Sequence, residues 1–327
     1  MPQPPATHKP FAGPDAGQIA QAASVLVGHA VRTPVVRSTE LDRRTGASVV
    51  LKAECLQRTG SFKFRGAFVA ATRAREAGHE HLVAYSSGNH AAALARAGGL
   101  LGQRVSVFMP YDAPVAKIDA ARSFGADVRH YDRYAQDRVA MASAYAAEHD
   151  GLLVPSADDP HVIAGQATAT AELLAGHPDL DAVVVPVGGG GLIAGAVSAV
   201  RAAGSHAEVV AVEPVGSDDF VRSLASGRRE SVAVGATLAD GLQLATIGAL
   251  PWEVVRGRVR TAVTVEDEGL RSAVAFLVER VKLVVEPSGA APVAALLTSA
   301  LDLRSARVGV VLSGGNTSPE KLRAILA

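Results

Sequence analysis

One lysine lies in a strongly apolar part of the sequence. Lys63 is flanked by Phe62 and Phe64, and Ala67 follows shortly after. Burial disfavours a charged ammonium group, so an amine in such surroundings loses its proton more easily and can act as a nucleophile or a base. A neutral lysine amine can also hold an aldehyde cofactor covalently. Taken alone, however, the segment fits a surface lysine with a buried alkyl chain better.

A run of four glycines indicates an anion site. Gly188–Gly191 stands between an apolar predicted strand, Ala182–Val187, and a predicted helix that begins at Leu192. Glycines let backbone N–H groups converge on an anion, and a helix N-terminus adds a favourable dipole. The run matches neither of the common nucleotide-binding patterns, Gly-x-Gly-x-x-Gly or Gly-x-x-x-x-Gly-Lys-Ser/Thr. It therefore predicts a phosphate near a helix, with a tight structural turn as the alternative.

Two other polar segments follow predicted strands. The turn Ser86–His90 leads from an apolar strand into an Ala-rich helix, so its backbone N–H groups can bind a carboxylate. Ser313 follows the apolar strand Arg307–Leu312. An amine, a phosphate cradle and a serine at a strand end are the parts needed to hold pyridoxal phosphate.

In this combination and order, the segments resemble the fold type II family of pyridoxal-phosphate enzymes. Within that family, the branch of serine/threonine dehydratases and serine racemases is the most similar. The segment Ser61–Ala67 matches the lysine motif of the family, and the likeness runs from about Thr33 to Asn316. The resemblance implies an α/β fold with two lobes, like the β subunit of tryptophan synthase, with parallel or mostly parallel sheets and a cofactor in the cleft.

The resemblance also implies roles for individual residues. Lys63 would hold the cofactor and remove the Cα proton of the substrate, Asn89 would contact the ring oxygen of the cofactor, and the Ser313 hydroxyl would face its pyridine nitrogen. The expected cofactor-binding residues are Phe62, Lys63, Asn89, Gly188, Gly189, Gly190, Gly191 and Ser313. The expected substrate-binding residues are Ser86, Ser87, Gly88, His90 and Arg138.

Ser87 bears on the type of reaction. Many threonine dehydratases carry alanine at the matching place, whereas serine racemases and some 3-hydroxyaspartate dehydratases carry serine. In the resemblance, this hydroxyl lies on the cofactor face opposite Lys63, so the two groups can move a proton from one face of Cα to the other. Ser87 is then a second catalytic residue, and a plain turn residue is the alternative. For His90, the alternative to substrate binding is helix capping or core packing. For Arg138, the alternative is an exposed arginine on a helix surface.

A divalent cation site is predicted after the strand Glu208–Val212. Glu213, Asp219 and a carbonyl near Ser217, completed by waters, would suit Mg²⁺ or Ca²⁺. Serine racemase-like enzymes place a divalent ion at the matching positions. A solvated acidic loop is the alternative.

Alternating β-branched runs and Ala/Leu-rich helical segments must position these residues, and they predict β-α units around parallel strands. Strands are predicted at Val49–Glu54, Leu82–Ser86, Arg104–Met109, Asp127–Tyr131, Leu152–Val154, Ala182–Val187, Glu208–Val212, Thr261–Val265 and Arg307–Leu312. Helices are predicted at Ser61–Ala77, Asn89–Leu101, Pro114–Phe124, Ala135–His149, His161–Gly176, Leu192–Ala203, Glu266–Val281, Gly289–Leu301 and Pro319–Ala327. By resemblance, residues 79–157 form a small domain inserted into a large cofactor domain of residues 1–78 and 158–327, in which residues 1–17 are a flexible arm.

Composition narrows the class of protein. Lys plus Arg and Asp plus Glu both number 32 among 327 residues, so no basic field indicates binding to nucleic acid or to an anionic membrane. Cys55 is the only cysteine, which excludes an intrachain disulfide, and it lacks a local activating base. The uncharged stretch Ala182–Val200 is interrupted by Pro186 and the glycines, so a buried strand, turn and helix explain it better than a membrane span. We therefore expect a soluble cytoplasmic protein and, by resemblance, a homodimer.

These observations favour a pyridoxal-phosphate-dependent dehydratase that converts L-serine or L-threonine into a 2-oxo acid and ammonia, with serine racemase activity as a possible addition. The alternative within the family is a 3-hydroxyaspartate dehydratase, in which Arg138 and His90 hold the second carboxylate. Two alternatives belong to other functional classes, namely a nucleotide-binding oxidoreductase and a catalytically silent ligand-binding protein. Residues Ala91–Ala93 and Leu242–Ala245 depart from the usual family pattern and leave the substrate open.

Overall fold

The computed structural model describes residues 10–86, 88–113 and 115–327. The strands are β1 (Val35–Arg37), β2 (Ser48–Lys52), β3 (His81–Tyr85), β4 (Arg104–Pro110), β5 (Asp127–Tyr131), β6 (Leu152–Leu153), β7 (Ala182–Pro186), β8 (Glu208–Pro214), β9 (Thr261–Val265) and β10 (Arg307–Val311). The helices are α1 (Ala16–Leu26), α2 (Thr39–Thr45), α3 (Lys63–Glu76), α4 (Asn89–Leu101), α5 (Val115–Ser123), α6 (Arg138–Glu148), α7 (Pro160–Gly176), α8 (Gly191–Ala202), α9 (Asp219–Ser226), α10 (Ala249–Val255), α11 (Asp267–Phe276), α12 (Pro287–Leu297) and α13 (Pro319–Leu326).

The larger sheet has six strands in the order β1-β2-β10-β7-β8-β9. Only β1 runs antiparallel to its neighbour; the other neighbouring pairs are parallel. The carboxyl ends of parallel strands meet at one edge of a sheet, and ligands of open α/β sheets bind beyond that edge. The segments that follow β2, β7 and β10 carry Lys63, the glycine run and Ser313, respectively. Glu213 lies near the end of β8, and Asp219 follows that strand.

The smaller sheet has four parallel strands in the order β5-β4-β3-β6. All of its strands lie between His81 and Leu153, whereas every strand of the larger sheet lies outside that stretch. The α/β class with mostly parallel sheets is therefore confirmed. The domain limits at 78/79 and 157/158 stay a prediction.

The central strands are buried on both faces, which explains their continuous β-branched sequences. In β7, Val184 packs into the cluster that includes Ala290 of α12. Its neighbours Val183 and Val185 point the other way, into the cluster that includes Ile193 of α8. Strand β7 is thus held between two helical layers, and the glycine run begins where this rigid strand ends.

Most predicted elements are present within one to three residues, and α4 has the predicted bounds. The predicted helix Glu266–Val281 changes at Leu277 from α-helical to π-helical hydrogen bonding, and the predicted helix Gly289–Leu301 starts earlier, at Pro287, and ends at Leu297. Sequence patterns missed one short strand and four helices, namely β1, α1, α2, α9 and α10.

The N-terminal arm needs a correction in the part that the structure describes. Ala16 and Gly17 belong to α1, whose cap is Asp15 in a reciprocal capping box with Gln18. The backbone N–H of Phe11 donates to Glu253 at 2.5 Å, and Arg201 donates to the carbonyl of Ala12. A Pro- and Ala-rich sequence carries no local periodicity that would predict such long-range contacts. Residues 1–9 lie outside the described part.

Among the described residues, no helix combines the length and the apolar character needed to cross a membrane.

Candidate active site

Two distant segments run antiparallel to each other and bring Lys63 close to Ser313. Ser61 pairs with Gly314 in an isolated β-bridge. The backbone N–H of Phe62 donates to the carbonyl of Ser313 at 3.0 Å, and that of Gly315 donates to the carbonyl of Gly60 at 2.9 Å. The lysine at the start of α3 and the serine beyond β10 are therefore held together by backbone contacts.

The Lys63 side chain is half-buried and makes one polar contact with the described residues. Its Nζ donates to the carbonyl of Ser156 at 2.8 Å and lies 5.1 Å from the centroid of the Phe62 ring. Burial lowers the pKa of the Lys63 amine to about 8, because no carboxylate balances the lost hydration. The neutral amine, the form that a nucleophile or a general base requires, then makes up roughly a fifth of the molecules near pH 7.4, far more than for an ordinary lysine.

A buried ionic network supports the helix that carries Lys63. Arg65 donates to Glu54 at 2.8 Å and to Glu172 at 2.7 Å, and Lys52 donates to Glu172 at 2.6 Å. Arg65, Lys52 and Glu54 are almost completely buried. Since a buried charge left alone is strongly unfavourable, these pairs fix the first turn of α3 against β2 and α7.

The glycine run has the shape of an anion cradle. Gly190 has a φ of +86°, a conformation that favours glycine, and it precedes the twelve-residue helix α8. A Cβ on Gly190 would lie 2.5 Å from Cγ1 of Ile247, and one on Gly191 would lie 3.1 Å from Cα of Ala157. The amides in the first turn of α8 have no intrahelical acceptors, and Gly190 offers no capping side chain. These donors fit a phosphate group.

The turn after β3 is a second cradle at a helix N-terminus. Gly88 precedes the thirteen-residue helix α4, and a Cβ built there would have no atom within 4 Å. The backbone N–H of Gly88 donates to Oγ of Ser86 at 3.3 Å. Ser87 lies outside the described residues. The open space beside Gly88 is what a small carboxylate ligand needs.

Asn89 is held by two side chains that are remote in sequence. Its Nδ2 donates to Oε1 of Glu286 at 2.6 Å, and its Oδ1 accepts from Nδ2 of Asn316 at 2.8 Å. The pKa of Glu286 is raised to about 7, mainly by burial and to a smaller extent by the negative charge of Asp240. Neither Glu286 nor Asn316 was assigned a role from the sequence. The available signals were an acidic residue directly before Pro287 at a helix start and an asparagine directly after the serine–glycine turn.

His90 is buried at the start of α4, with an exposed fraction of 2%. Its Nε2 lies 2.9 Å from the carbonyl of Val154 and so carries the proton, while Nδ1 has no partner among the described residues. Burial and the nearby charge of Lys63 lower the pKa of His90 to about 4, so the ring is neutral at ordinary pH. These surroundings also suit the alternative role in core packing, and substrate binding by His90 stays a prediction.

Arg138 lies next to the strand that leads into the Ser86 turn. It is the first residue of α6, and its guanidinium carbon lies 5.6 Å from the centroid of the Tyr85 ring. Tyr85 is the last residue of β3 and directly precedes Ser86. This cation–π contact orients Arg138 without using a carboxylate partner.

Two carboxylates lie near the end of β8 and at the start of α9. Glu213 and Asp219 are completely buried, and Glu213 accepts from the backbone N–H groups of Phe220 at 3.1 Å and Val221 at 2.9 Å. Both oxygens of Asp219 lack a hydrogen-bond partner among the described residues. Burial raises the pKa of Glu213 to about 8 and that of Asp219 to about 6. Ser217, also buried, donates from its hydroxyl to the carbonyl of Leu244 at 2.6 Å. Buried oxygens without partners fit a hard divalent cation.

Cys55 does not have the surroundings of a catalytic thiol. It is buried, and burial raises the pKa of its thiol to about 11, so the reactive thiolate is scarce at ordinary pH.

Known proteins with similar sequences and structures agree with this arrangement. The family described as pyridoxal-phosphate dependent enzymes matches residues 26–314. An L-threo-3-hydroxyaspartate ammonia-lyase from a Pseudomonas species is 43% identical over 309 residues, which are 94% of this chain and 97% of the relative. An L-threonine ammonia-lyase from Geobacter sulfurreducens is 38% identical over 296 residues, which are 90% of this chain and 74% of the relative. Maize serine racemase has a TM-score of 0.90 at 33% identity, covering 96% of this chain and 97% of its own. The chain therefore belongs to the pyridoxal-phosphate dependent enzymes of fold type II, within the branch that contains serine racemases and threonine ammonia-lyases.

Proposed function

We propose that this protein is an ammonia-lyase that converts a β-hydroxy amino acid into a 2-oxo acid and ammonia, with L-serine and L-threonine as the first candidate substrates. The observation that carries the proposal is the Lys63 amine, which has a lowered pKa and directly follows Phe62, whose backbone N–H donates to the carbonyl of Ser313. The relatives named L-threonine ammonia-lyase and serine racemase support the same class of substrate.

The residues described above supply distinct functions. Bound pyridoxal phosphate supplies an electron-withdrawing ring that stabilises negative charge at the substrate Cα. The glycine run Gly188–Gly191 would hold the phosphate through backbone N–H groups, and Phe62 would pack beside the ring. Lys63 would remove the Cα proton. Ser313 would face the pyridine nitrogen, and a neutral hydroxyl does not force that nitrogen to be protonated. The weaker electron sink suits elimination, in which a leaving group carries charge away.

The substrate carboxylate would bind to the Ser86–Gly88 turn at the start of α4. The described backbone offers an open space and a helix N-terminus at this position. Ser87 would add racemase activity if its hydroxyl exchanges a proton with Cα on the face opposite Lys63. The relative named serine racemase supports this addition.

A second candidate substrate is 3-hydroxyaspartate, which carries an additional carboxylate. Arg138, oriented by the Tyr85 ring, is a cation close to the Ser86 turn, and the Pseudomonas relative is named for this substrate. An Arg138→Gln variant would then lose turnover of 3-hydroxyaspartate more than turnover of L-serine. Arg133→Gln, at an exposed neighbouring arginine, is the matched control.

We further propose that Mg²⁺ or Ca²⁺ binds to Glu213, Asp219 and a carbonyl near Ser217. The unpartnered oxygens of Asp219 support this site. The ion would stabilise the structure beyond β8 rather than take part in the reaction. The two-domain limits, the homodimer and the cytoplasmic location stay predictions from the sequence.

A substrate panel tests the proposed activity. Release of 2-oxo acid is measured from L-serine, D-serine, L-threonine and 3-hydroxyaspartate, with the parent protein and with Ser87→Ala. Preferential turnover of L-serine or L-threonine supports the first candidates, and selective loss of D-serine turnover in Ser87→Ala supports catalysis from both faces. Dominant turnover of 3-hydroxyaspartate would replace the first candidates with the second, and no turnover of any of the four would overturn the proposal.

A further inference from the structure

A chain of hydrogen bonds joins four positions that are far apart in sequence. Nδ2 of Asn316 donates to the carbonyl of Thr59 at 2.7 Å and also to Oδ1 of Asn89 at 2.8 Å. Nδ2 of Asn89 then donates to Oε1 of Glu286 at 2.6 Å. Glu286 is buried, with an exposed fraction of 3%.

The direction of this chain follows from its ends. A backbone carbonyl can only accept, so the amide nitrogen of Asn316, and not its oxygen, faces Thr59. The same nitrogen faces Asn89, which therefore presents its oxygen to Asn316. The nitrogen of Asn89 is then left to face Glu286, whose carboxyl group accepts. The orientation of the Asn89 amide is thus fixed from both sides.

One hydrogen on Nδ2 of Asn89 has no role in this chain. An amide nitrogen carries two hydrogens, and Glu286 uses one of them. Because both neighbours fix the amide, a reversal that would present its oxygen to a ligand breaks two hydrogen bonds at once. The remaining hydrogen leaves Asn89 able to donate to one further acceptor.

We propose that Asn316 and Glu286 are positioning residues that present Asn89 to the cofactor ring oxygen as a hydrogen-bond donor. This inference rests on the proposed function, in which Asn89 contacts that oxygen. A donor at this place favours the negatively charged form of the ring oxygen, since hydrogen bonds to a charged group stabilise it. Asn316 and Glu286 would act on the cofactor through Asn89 without touching it.

Two glycines leave room for this chain of hydrogen bonds. A Cβ on Gly314 would collide with Oε1 of Glu286 and lie 3.2 Å from Nδ2 of Asn89. Gly60, with a φ of +73°, would collide with the Asn316 amide if it carried a Cβ. The two glycines lie in the paired segments that also bring Lys63 to Ser313. The same close approach therefore builds the lysine site and the support of Asn89.

A double-mutant cycle tests the proposal. The dissociation constant for pyridoxal phosphate is measured with the full-length parent, Asn316→Ala, Asn89→Ala and the double variant, by titrating the visible absorbance of the bound cofactor. Asn89→Ala is expected to weaken binding about 10-fold, because a hydrogen bond to a charged group is lost. Asn316→Ala is expected to weaken binding several-fold, roughly 3-fold or more, in the parent and by less than about 2-fold in the Asn89→Ala background. Equal effects in both backgrounds would overturn the proposal, because Asn316 would then act independently of Asn89.

Glu286 provides a second arm with its own control. Glu286→Gln keeps a side-chain oxygen that can accept from Asn89, so its dissociation constant should stay within about 2-fold of the parent, whereas Glu286→Ala should resemble Asn89→Ala. If Glu286→Ala does not fold, the double-mutant cycle with Asn316 and the Glu286→Gln variant still test the proposal. A 10-fold loss in Glu286→Gln would contradict the acceptor role. If the parent protein develops no visible absorbance band with pyridoxal phosphate, both the proposed function and this inference are wrong. If the parent develops the band but the effects of Asn316→Ala and Asn89→Ala are additive, only this inference is wrong.

Discussion

Burial without a nearby opposite charge sets the properties of several single residues. The pKa of Lys63 falls to about 8, while those of Glu213 and Asp219 rise to about 8 and about 6. In each case folding shifts the protonation equilibrium towards the neutral form relative to water. A bound ligand would offset the lost hydration, either by supplying the opposite charge or by forming a covalent bond with the neutral group. Such residues are candidates for function on physical grounds.

The reactivity of Lys63 should depend on pH in a characteristic way. Only a neutral amine is acylated, and an ordinary lysine is half neutral at about pH 10.4. In the cofactor-free protein, the rate of Lys63 acylation, followed by mass spectrometry, should reach half of its maximum near pH 8. A short peptide with one lysine is the reference. A Lys63 midpoint equal to that of the peptide would contradict the desolvated site.

Because Glu213 and Asp219 are buried, the stability of the metal-free protein should fall as the pH rises, whereas the stabilisation by a divalent cation should increase. Their folded-state pKa values lie above the unfolded values of about 4, so the metal-free folded state binds more protons and loses stability as the pH rises from about 4 to about 8. A cation binds the ionised carboxylates, so added Mg²⁺ should raise the melting temperature more at pH 8 than at pH 6. Asp219→Asn should remove this gain and Glu268→Gln, on an exposed helix face, should keep it. A gain that is equal at both pH values would argue against the site.

At the scale of elements, the cradle at the start of α8 depends on glycine. Gly190 combines a φ of +86° with close neighbours, whereas Gly204 has a φ of +61° and no atom within 4 Å of a built Cβ. Gly204→Ala is therefore a matched control for backbone strain alone. Both substitutions should lower the free energy of unfolding by about 1 kcal/mol through strain, and Gly190→Ala should lose a further ~1–3 kcal/mol from the contact with Ile247.

Urea unfolding measures the two stabilities, and titration with pyridoxal phosphate measures binding. Gly190→Ala should bind the cofactor more weakly because the run can no longer present its amides in the same place, while Gly204→Ala should bind like the parent. Equal affinity in the two variants would show that the glycine run does not hold the phosphate.

The sequence predicted the elements with strong local patterns and missed α1, α2, α9, α10 and β1. The apolar run of β7 and the Ala-rich α4 are unmistakable, since a buried parallel strand and a packed helix need such sequences. Helix α2 has only seven residues and β1 only three, too few for a period to emerge. Their ends depend on Ser38, Gly46 and strand pairing, which become visible only in the fold.

The candidate site shows the same division. Lys63, Ser313 and the glycine run carry local patterns and were predicted. Asn89 and Glu286 are 197 positions apart, and nothing in either local sequence indicates their contact. Long-range polar pairs of this kind come from the arrangement of strands, which a single sequence does not display.

At the scale of the whole molecule, an ion pair connects α5, which follows a strand of the small sheet, with the segment between β8 and β9 of the large sheet. Lys117 in α5 donates to Asp240 at 2.7 Å, and Lys321 in α13 approaches the same carboxylate at 3.3 Å. Burial raises the pKa of Asp240, but the two lysines outweigh it, and the pKa ends below its ordinary value. The charge of Asp240 acts on Glu286, so the pair links α5 to the surroundings of Asn89.

Removal of this link should loosen α5 locally. Lys117→Met should lower the free energy of unfolding by no more than ~1 kcal/mol, because the pair is partly exposed. Hydrogen exchange in α5 should nevertheless become faster, while that of α8 stays unchanged. Arg122→Met, on the same helix, is the control. Unchanged exchange in α5 would mean that the pair does not restrain this helix.

The most direct measurement is the release of 2-oxo acid by Lys63→Ala supplied with pyridoxal phosphate, compared with the parent and with Lys282→Ala at an exposed lysine. We expect Lys63→Ala to lose at least ~10²–10⁴-fold in rate, because the proposed function makes this residue the base, and Lys282→Ala to match the parent. A Lys63→Ala protein that turns over its β-hydroxy amino acid at the parent rate would contradict the assignment of Lys63 and, with it, the proposed reaction.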